Sequence, residues 1–132
     1  MAQSFDLSST FVHLRDGGAA EPVKITPSFW RGSSAGTVYD RVVGAFDFAS
    51  AADLHPSMQE MHPFVDEVLV LAAGAIDVLL EVDGAEKRIA LESGQAAIVP
   101  RGVWHRLIMR RPGRLLFINN RTDIQSRNHS TK

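Results

Sequence analysis

A chain of 132 residues with 45% hydrophobic and 22% charged side chains suits a single globular domain that buries its own core. The net charge of −1 provides no field that would select nucleic acid or a membrane surface as the partner. With no cysteine, the chain can form neither disulfides nor thiolate sites, so any metal would need histidine and carboxylate ligands.

Two sequence features bear on location and partners. The first ten residues lack the basic and apolar regions of a signal peptide, and the longest uncharged apolar run, 68–76, is far too short to cross a bilayer. We therefore expect a cytoplasmic protein. Seven arginines lie in the last third of the chain, but such a run of charge is usually a solvated face, so we do not expect nucleic-acid binding.

Short strand patterns recur along the chain and leave little room for helices. They cover residues 11–14, 23–25, 42–48, 57–62, 67–73, 75–82, 87–91, 96–99, 104–109 and 115–119. Turn residues separate them, among them Pro63, Gly74 and the hairpin pair Asp83 and Gly84, whereas Gly44 suggests a bulge. Many short, closely spaced strands predict an all-β barrel or sandwich.

The strand pattern divides the chain into three expected parts. Residues 1–36 form an N-terminal segment that covers the barrel or is exchanged in a dimer, residues 37–120 form the barrel, and residues 121–132 form a frayed polar tail. The predicted strand 67–73 is apolar on both faces, which indicates that its outer face is covered too. We expect a homodimer, with Trp104 on the outer face in the dimer contact.

The alternation of side chains along strands brings polar residues to an inward face. Met58, Glu60 and His62 share one face of their predicted strand. Pro63 cannot donate to a strand ladder, so that strand should end there. The chain can then turn, and Glu67 can begin the next strand with its side chain pointing inward.

His105 follows a Pro-x-Gly turn and begins a third apolar strand with the same inward parity. Ligand sites are concave and mostly apolar, with a few convergent polar groups. We therefore expect a small pocket around the polar cluster, lined by Met58, Leu69, Leu71, Leu107 and Met109.

The stretch 94–109 resembles the second sequence motif of the cupins, which reads Gly, five residues, Pro-x-Gly, two residues, His. Here Gly94, Pro100, Gly102 and His105 occupy the four fixed positions with matching gaps. Met109 replaces the asparagine that often follows.

The stretch 60–74 resembles the first cupin motif, in which His-x-His precedes a glutamate and then a glycine. His62, Glu67 and Gly74 match with the right gaps, whereas Glu60 replaces the first histidine and Leu54 replaces the leading glycine. The resemblance covers roughly residues 40–120.

The resemblance implies the fold and the ligand set. It implies an all-β double-stranded β-helix, the RmlC-like jelly-roll barrel of the cupins, with metal ligands at His62, Glu67 and His105. Glu60 would stand where a third histidine usually lies. Such a mixture of imidazoles and carboxylates suits a divalent ion such as Fe, Mn, Zn or Ni, with positions left open for a small-molecule substrate or ligand.

Two alternatives remain open at the level of the sequence. In a metal-free cupin, Glu60 and Glu67 would be close carboxylates, and repulsion and burial would keep one of them protonated. Such a pair could support acid–base chemistry of the isomerase or epimerase type with His62 or His105. The barrel could also be a non-catalytic binding module; in either case an arginine at its mouth could recognise a ligand carboxylate.

Overall fold

The structure is a computed structural model that describes residues 4–29, 37 and 39–129. This part of the chain contains one short 3₁₀ helix of four residues, Ala51–Leu54, and nine β-strands. The strands are β1 (Thr10–Leu14), β2 (Ala20–Lys24), β3 (Arg41–Phe48), β4 (Met58–Met61), β5 (Glu67–Val82), β6 (Ala85–Glu92), β7 (Ala96–Val99), β8 (His105–Asn119) and β9 (Gln125–Asn128). The prediction of an all-β protein is confirmed.

Two long strands, β5 and β8, organise the barrel. The hydrogen-bonded order is β2-β1-β3-β8-β4-β9, and β5 joins it through β8 while also pairing with β6 and β7. β5 has 16 residues and β8 has 15, and the two pair antiparallel along most of their lengths. β3 and β4 pair with β8, and β6 and β7 pair with β5, so these two long strands position four of the other strands directly.

Each of these long strands was predicted as two shorter ones, because Gly74 and the Pro112–Gly113 pair read as turns. In the structure the chain continues through both points, and the β5–β8 pairing shifts register between Leu71 and Ile76. Gly74 has a φ of +91°, and a Cβ there would lie 2.5 Å from the carbonyl oxygen of Pro112. The glycine therefore marks a bulge at a close backbone crossing, where a strand bends without ending.

Gly44 was expected to mark a bulge, and here the prediction is wrong. The pairing of β3 with β8 runs without a shift from Val42 to Phe48. A Cβ on Gly44 would lie 2.6 Å from ring atoms of both Phe11 and Phe117. These two rings pack edge to face with centroids 5.3 Å apart, so the missing side chain makes room for an aromatic pair inside the barrel.

The polar tail expected to fray contains a strand. β9 pairs antiparallel with β4, with Met58 opposite Asn128 and Met61 opposite Gln125. All four residues of β9 are exposed, so no hydrophobic alternation signals the strand in the sequence.

Arg127 ties β9 down and also covers Trp104. Its guanidinium lies 4.0 Å from the centroid of the Trp104 ring and donates hydrogen bonds to Gln59 and Glu81. One face of the tryptophan is therefore covered within the same chain, where a dimer partner was expected to cover it.

The crossing of β5 and β8 gives a test of the fold. A Cβ on Gly113 would lie 1.9 Å from the carbonyl oxygen of Ala73, so the Gly113→Ala variant must push two backbones apart. We expect it to lower the free energy of unfolding in urea by more than about 3 kcal/mol.

Gly84→Ala is the matched control, because Gly84 sits at an open hairpin tip where a Cβ meets nothing within 4 Å. Its positive φ should cost only about 1–2 kcal/mol. Equal losses in the two variants would contradict the close crossing.

Candidate functional site

The polar centre of the barrel is the carboxylate of Glu67, the first residue of β5, which is 5% exposed. Its Oε1 lies 2.9 Å from Nε2 of His105, and its Oε2 lies 3.4 Å from Nε2 of His62. Asn119 donates a hydrogen bond of 2.7 Å from Nδ2 to Oε2. All four side chains are buried, so the cluster is shielded from bulk water.

The strand pairing explains why these residues meet. Glu60 of β4 pairs with His105 at the start of β8, and His62 follows directly after β4. At its other end, β8 pairs with the start of β5, where Ile118 lies opposite Val68, which places Asn119 opposite Glu67. The two ends of β8 therefore bring residues 14 positions apart to the same carboxylate.

Hydrogen bonds also join the two motif loops to each other. The backbone N–H of Gly102 donates to the carbonyl oxygen of His62 at 2.9 Å. The backbone N–H of Arg101 donates to Oδ1 of Asp66, also at 2.9 Å, which helps to hold the pKa of Asp66 below its usual value. The chain turns after Pro63 as expected, and this turn is anchored on the Pro-x-Gly turn of the other motif.

The electrostatics of the cluster favour an ionised Glu67. Burial alone would raise its pKa, but hydrogen bonding to His105 and the nearby imidazole of His62 outweigh burial, and the pKa of Glu67 lies well below its usual range. Of the two carboxylates that were expected to compete for a proton in the metal-free protein, Glu67 is therefore the one that stays ionised.

His105 shows the complementary effect. Burial would lower its pKa, but the hydrogen bond and charge of Glu67, together with the charge of Glu60, raise it above the ordinary value. In the absence of other ligands, Glu67 and His105 thus form a buried ion pair.

His62, Glu67 and His105 also satisfy the geometric requirement for a metal site. One ligand atom from each lies within 4.8 Å of the others. Neither ring nitrogen of His62 makes a hydrogen bond, although the ring is buried, and a buried unpaired imidazole is costly unless something binds it. Two imidazoles and one carboxylate are the donor set of many mononuclear metal sites.

Glu60, the fourth expected ligand, lies beside this cluster without joining it. Its carboxylate is not one of the convergent ligand atoms, and the residue is exposed to the cavity described next. Its pairing with His105 still puts the two side chains next to each other on one face of the sheet.

The cluster forms one end of a cavity of about 580 Å³, within the range of small-molecule sites. Three phenylalanine rings line it: Phe11, Phe46 and Phe117. The other apolar lining residues are Leu54, Met58, Leu69, Leu107, Leu115 and Ile124. Outside the cluster, the polar lining residues are Asp53, His55, Glu60, Arg106 and Ser126.

Of the five residues expected to line the pocket, Met58, Leu69 and Leu107 do so, and Leu71 and Met109 do not. Leu71 is fully buried in the core, and Met109 packs against that core. Both have inward parity, but they lie farther along β5 and β8, where side chains fill the barrel. The alternation of side chains along a strand shows which residues point into the barrel, but it does not show how far along the barrel they lie.

Sequence reasoning missed three features of the site. Asn119 belongs to no motif position, and its only signal is a polar residue of inward parity at the end of an apolar strand. Phe11 comes from β1, outside the stretch that resembles the cupin motifs. The mouth residues Ile124 and Ser126 belong to the segment that was expected to fray.

The structure resembles solved cupin-fold proteins, although no protein-family model matches the sequence and no curated protein matches it. The described part of the chain superposes on Streptomyces albus HEPD, solved with 2-hydroxyethylphosphonate and Fe(II) bound, with a TM-score of 0.51 and 21% identity over 60% of this chain. The match spans only 17% of the HEPD chain.

Two further solved structures, both of cupin proteins, match as well. A cupin-2 domain protein from Shewanella frigidimarina matches 65% of this chain and 74% of its own, with 18% identity and a TM-score of 0.43. A cupin superfamily protein from Desulfitobacterium hafniense matches over 60% of this chain and 65% of its own chain, with 18% identity and a TM-score of 0.48.

The strand topology and the match to HEPD give the chain the all-β double-stranded β-helix that the two cupin-like motifs implied. Its barrel holds a His-Glu-His cluster that could bind a metal ion. None of the helices in the described part of the chain is long and apolar enough to span a membrane.

The buried ion pair gives a pH prediction for protein treated with a chelator. The Glu67→Gln variant keeps the shape of the side chain but removes the charge that raises the pKa of His105. We expect the His105 pKa to fall in an NMR titration of the ring protons, whereas the exposed Glu92→Gln control should leave it unchanged.

The parent should be more stable than the Glu67→Gln variant, and because of the same ion pair the difference in their free energies of unfolding should depend on pH. The depressed pKa of Glu67 stabilises the fold above the ordinary glutamate value of 4.5, and this contribution is lost as the pH falls through the folded value. The raised pKa of His105 stabilises the fold below 6.5, and this contribution is lost as the pH rises through the folded value. The advantage should therefore be largest between these two values; an advantage that kept growing above pH 6.5 would contradict the pairing.

Proposed function

We propose that this cupin-fold protein binds one divalent metal ion through His62, Glu67 and His105 and acts on, or binds, a small molecule in the adjoining cavity. The observation that carries the proposal is the convergence of the three ligand atoms within 4.8 Å at one end of that cavity. The lack of hydrogen bonds at both ring nitrogens of His62 supports it, because a metal would satisfy one of them.

The surrounding residues fit this role. Asn119 holds one carboxylate oxygen of Glu67 and so orients the group toward the two histidines. The backbone carbonyl oxygen of Val103 lies 3.5 Å from Nδ1 of His105, which leaves Nε2 as the nitrogen that faces Glu67. The apolar walls limit the water that reaches this end of the cavity.

A divalent ion bound there would supply a Lewis acid that polarises an oxygen of the small molecule. Two histidines and one carboxylate are the donors of non-haem Fe(II) sites, and HEPD was solved with Fe(II) bound, so iron is a candidate beside Mn, Zn and Ni. At 21% identity over 17% of its length, HEPD does not define the reaction of this chain.

Glu60 is placed outside the ligand set in this proposal. The resemblance to the first cupin motif puts it where a third histidine usually binds, but its carboxylate does not converge with the other three ligands. Its position beside His105 suits a contact with whatever occupies the cavity.

Metal content tests the ligand set. We expect His62→Ala, Glu67→Ala and His105→Ala to lose affinity for Fe(II), Mn(II), Zn(II) or Ni(II) by at least about a hundredfold, because each removes one of three donors. Elemental analysis after dialysis and calorimetric titration of each ion would measure the loss.

Two control variants sharpen this test. His55→Ala removes a histidine that lines the same cavity outside the cluster, and Glu60→Ala removes the neighbouring carboxylate. Both should retain metal like the parent. A loss in Glu60→Ala equal to the histidine variants would return Glu60 to the ligand set. No uptake by the parent would remove the metal proposal and leave the Glu67–His105 pair as an acid–base element.

We also propose that the protein forms a homodimer through the outer face of the sheet. A row of aliphatic residues crosses β3, β8, β5 and β7 in register: Val43, Ile118, Val68 and Ile98. Ile98 is 61% exposed, and a second row behind it contains Leu116 and Val70. An apolar face of this kind suits a two-fold contact with a second copy of the chain.

A single charge in this face tests the dimer. Ile98→Glu should convert the protein to a monomer in light scattering at micromolar concentration, because burying an unpaired carboxylate is costly. Ala90→Glu on β6 adds the same charge at an exposed position outside the two rows and should leave the mass unchanged. A monomeric parent would refute the dimer.

A further inference from the structure

The charges that line the cavity are unequally available to a ligand. Arg106 is the cationic lining residue, apart from the histidines, in the described part of the chain. Its Nε and one terminal nitrogen donate to the two carboxylate oxygens of Glu86 at 2.8 and 3.0 Å, and its other nitrogen donates to the carbonyl oxygen of Pro56. A ligand anion would have to break this bidentate pair to reach the guanidinium.

Two of the three lining carboxylates are also occupied. Asp53 accepts hydrogen bonds from the backbone N–H groups of Ala49 and Ser50, and Glu67 is held within the His-Glu-His cluster. Glu60 differs, because its charge acts on nearby His105 but its carboxylate forms no hydrogen bond or ion pair with any residue that the structure describes. In the metal-free protein, the charge left free for a ligand is therefore negative.

The position of Glu60 sets where that charge acts. It shares a face with His105 across the β4–β8 pair and with Ser126 across the β4–β9 pair. The three side chains form a polar row from the buried cluster to the mouth, and the rings of Phe11, Phe46 and Phe117 line the same cavity. A ligand that spans the cavity can thus place an apolar body among the rings and a polar head beside Glu60.

We infer that the cavity takes an aryl- or alkyl-amine class of ligand, whose ammonium or N–H donor head is bound by the carboxylate of Glu60 and whose apolar body packs against the phenylalanines. This inference rests on the proposed function in one respect, that the cavity is the binding site. It assigns Glu60 a role in selecting the ligand, and it disfavours the carboxylate-bearing ligands that the sequence left open.

Three probes of similar size test the inference: 2-phenylethylamine, 2-phenylethanol and 3-phenylpropionate, titrated calorimetrically into the full chain after chelator treatment. Omitting the metal keeps the carboxylate of the third probe from binding to an ion and separates this test from the metal proposal. We expect the amine to bind about tenfold more tightly than the alcohol, as one charge-assisted hydrogen bond provides, and the acid to bind most weakly.

The Glu60→Gln variant keeps the size of the side chain and removes its charge. We expect it to weaken amine binding about tenfold, to the level of the alcohol, while alcohol binding stays unchanged. Glu92→Gln, on β6 and outside the cavity lining, should change none of the three affinities. The thermal unfolding midpoint of each variant would show that the fold is intact.

Several outcomes would overturn the inference. They are binding of 3-phenylpropionate as tight as the amine, unchanged amine binding in Glu60→Gln, or no binding of any probe at millimolar concentration. Failure of the parent to take up metal would refute the proposed metal site instead and leave the order of the three probes as a separate result.

Discussion

The buried carboxylate of Glu67 is the constraint on which the rest of the barrel depends. Removing a carboxylate from water is costly unless it is paired and hydrogen-bonded, and here a histidine, a second imidazole and an amide surround it. The histidines come from the end of β4 and the start of β8, and the amide comes from the end of β8. Satisfying one charge therefore fixes the relative positions of three strands and of the two loops between them.

Much of this arrangement can be predicted from the sequence, because the relevant signals are local. The period of two along a strand places His62, Glu67 and His105 inward, and the motif spacing brings in the Pro-x-Gly turn that precedes His105. These positions needed no knowledge of distant pairing, whereas the hydrogen bond that anchors Asp66 on Arg101 joins residues 35 positions apart.

The features that were missed depend on contacts between distant parts of the chain. Gly74 and Gly113 look like turn residues, and only the crossing of β5 and β8 shows that they permit a close backbone approach. Gly44 likewise makes room for rings that come from β1 and β8. β9 carries no apolar alternation and is held by backbone pairing and by Arg127, so composition alone indicates a disordered tail.

The cavity is built from two kinds of element, and this has a consequence for how such a barrel can diversify. The His-Glu-His cluster depends on the long strands β5 and β8 and on the residue that follows β4, whereas Leu54, Ile124 and Ser126 at the mouth belong to a short 3₁₀ helix and the C-terminal segment around β9. Substitutions at the mouth can change the size and polarity of the entrance while leaving the carboxylate and its partners in place. Ligand choice and the chemistry of the cluster are thus separable traits that could be altered independently over evolutionary time.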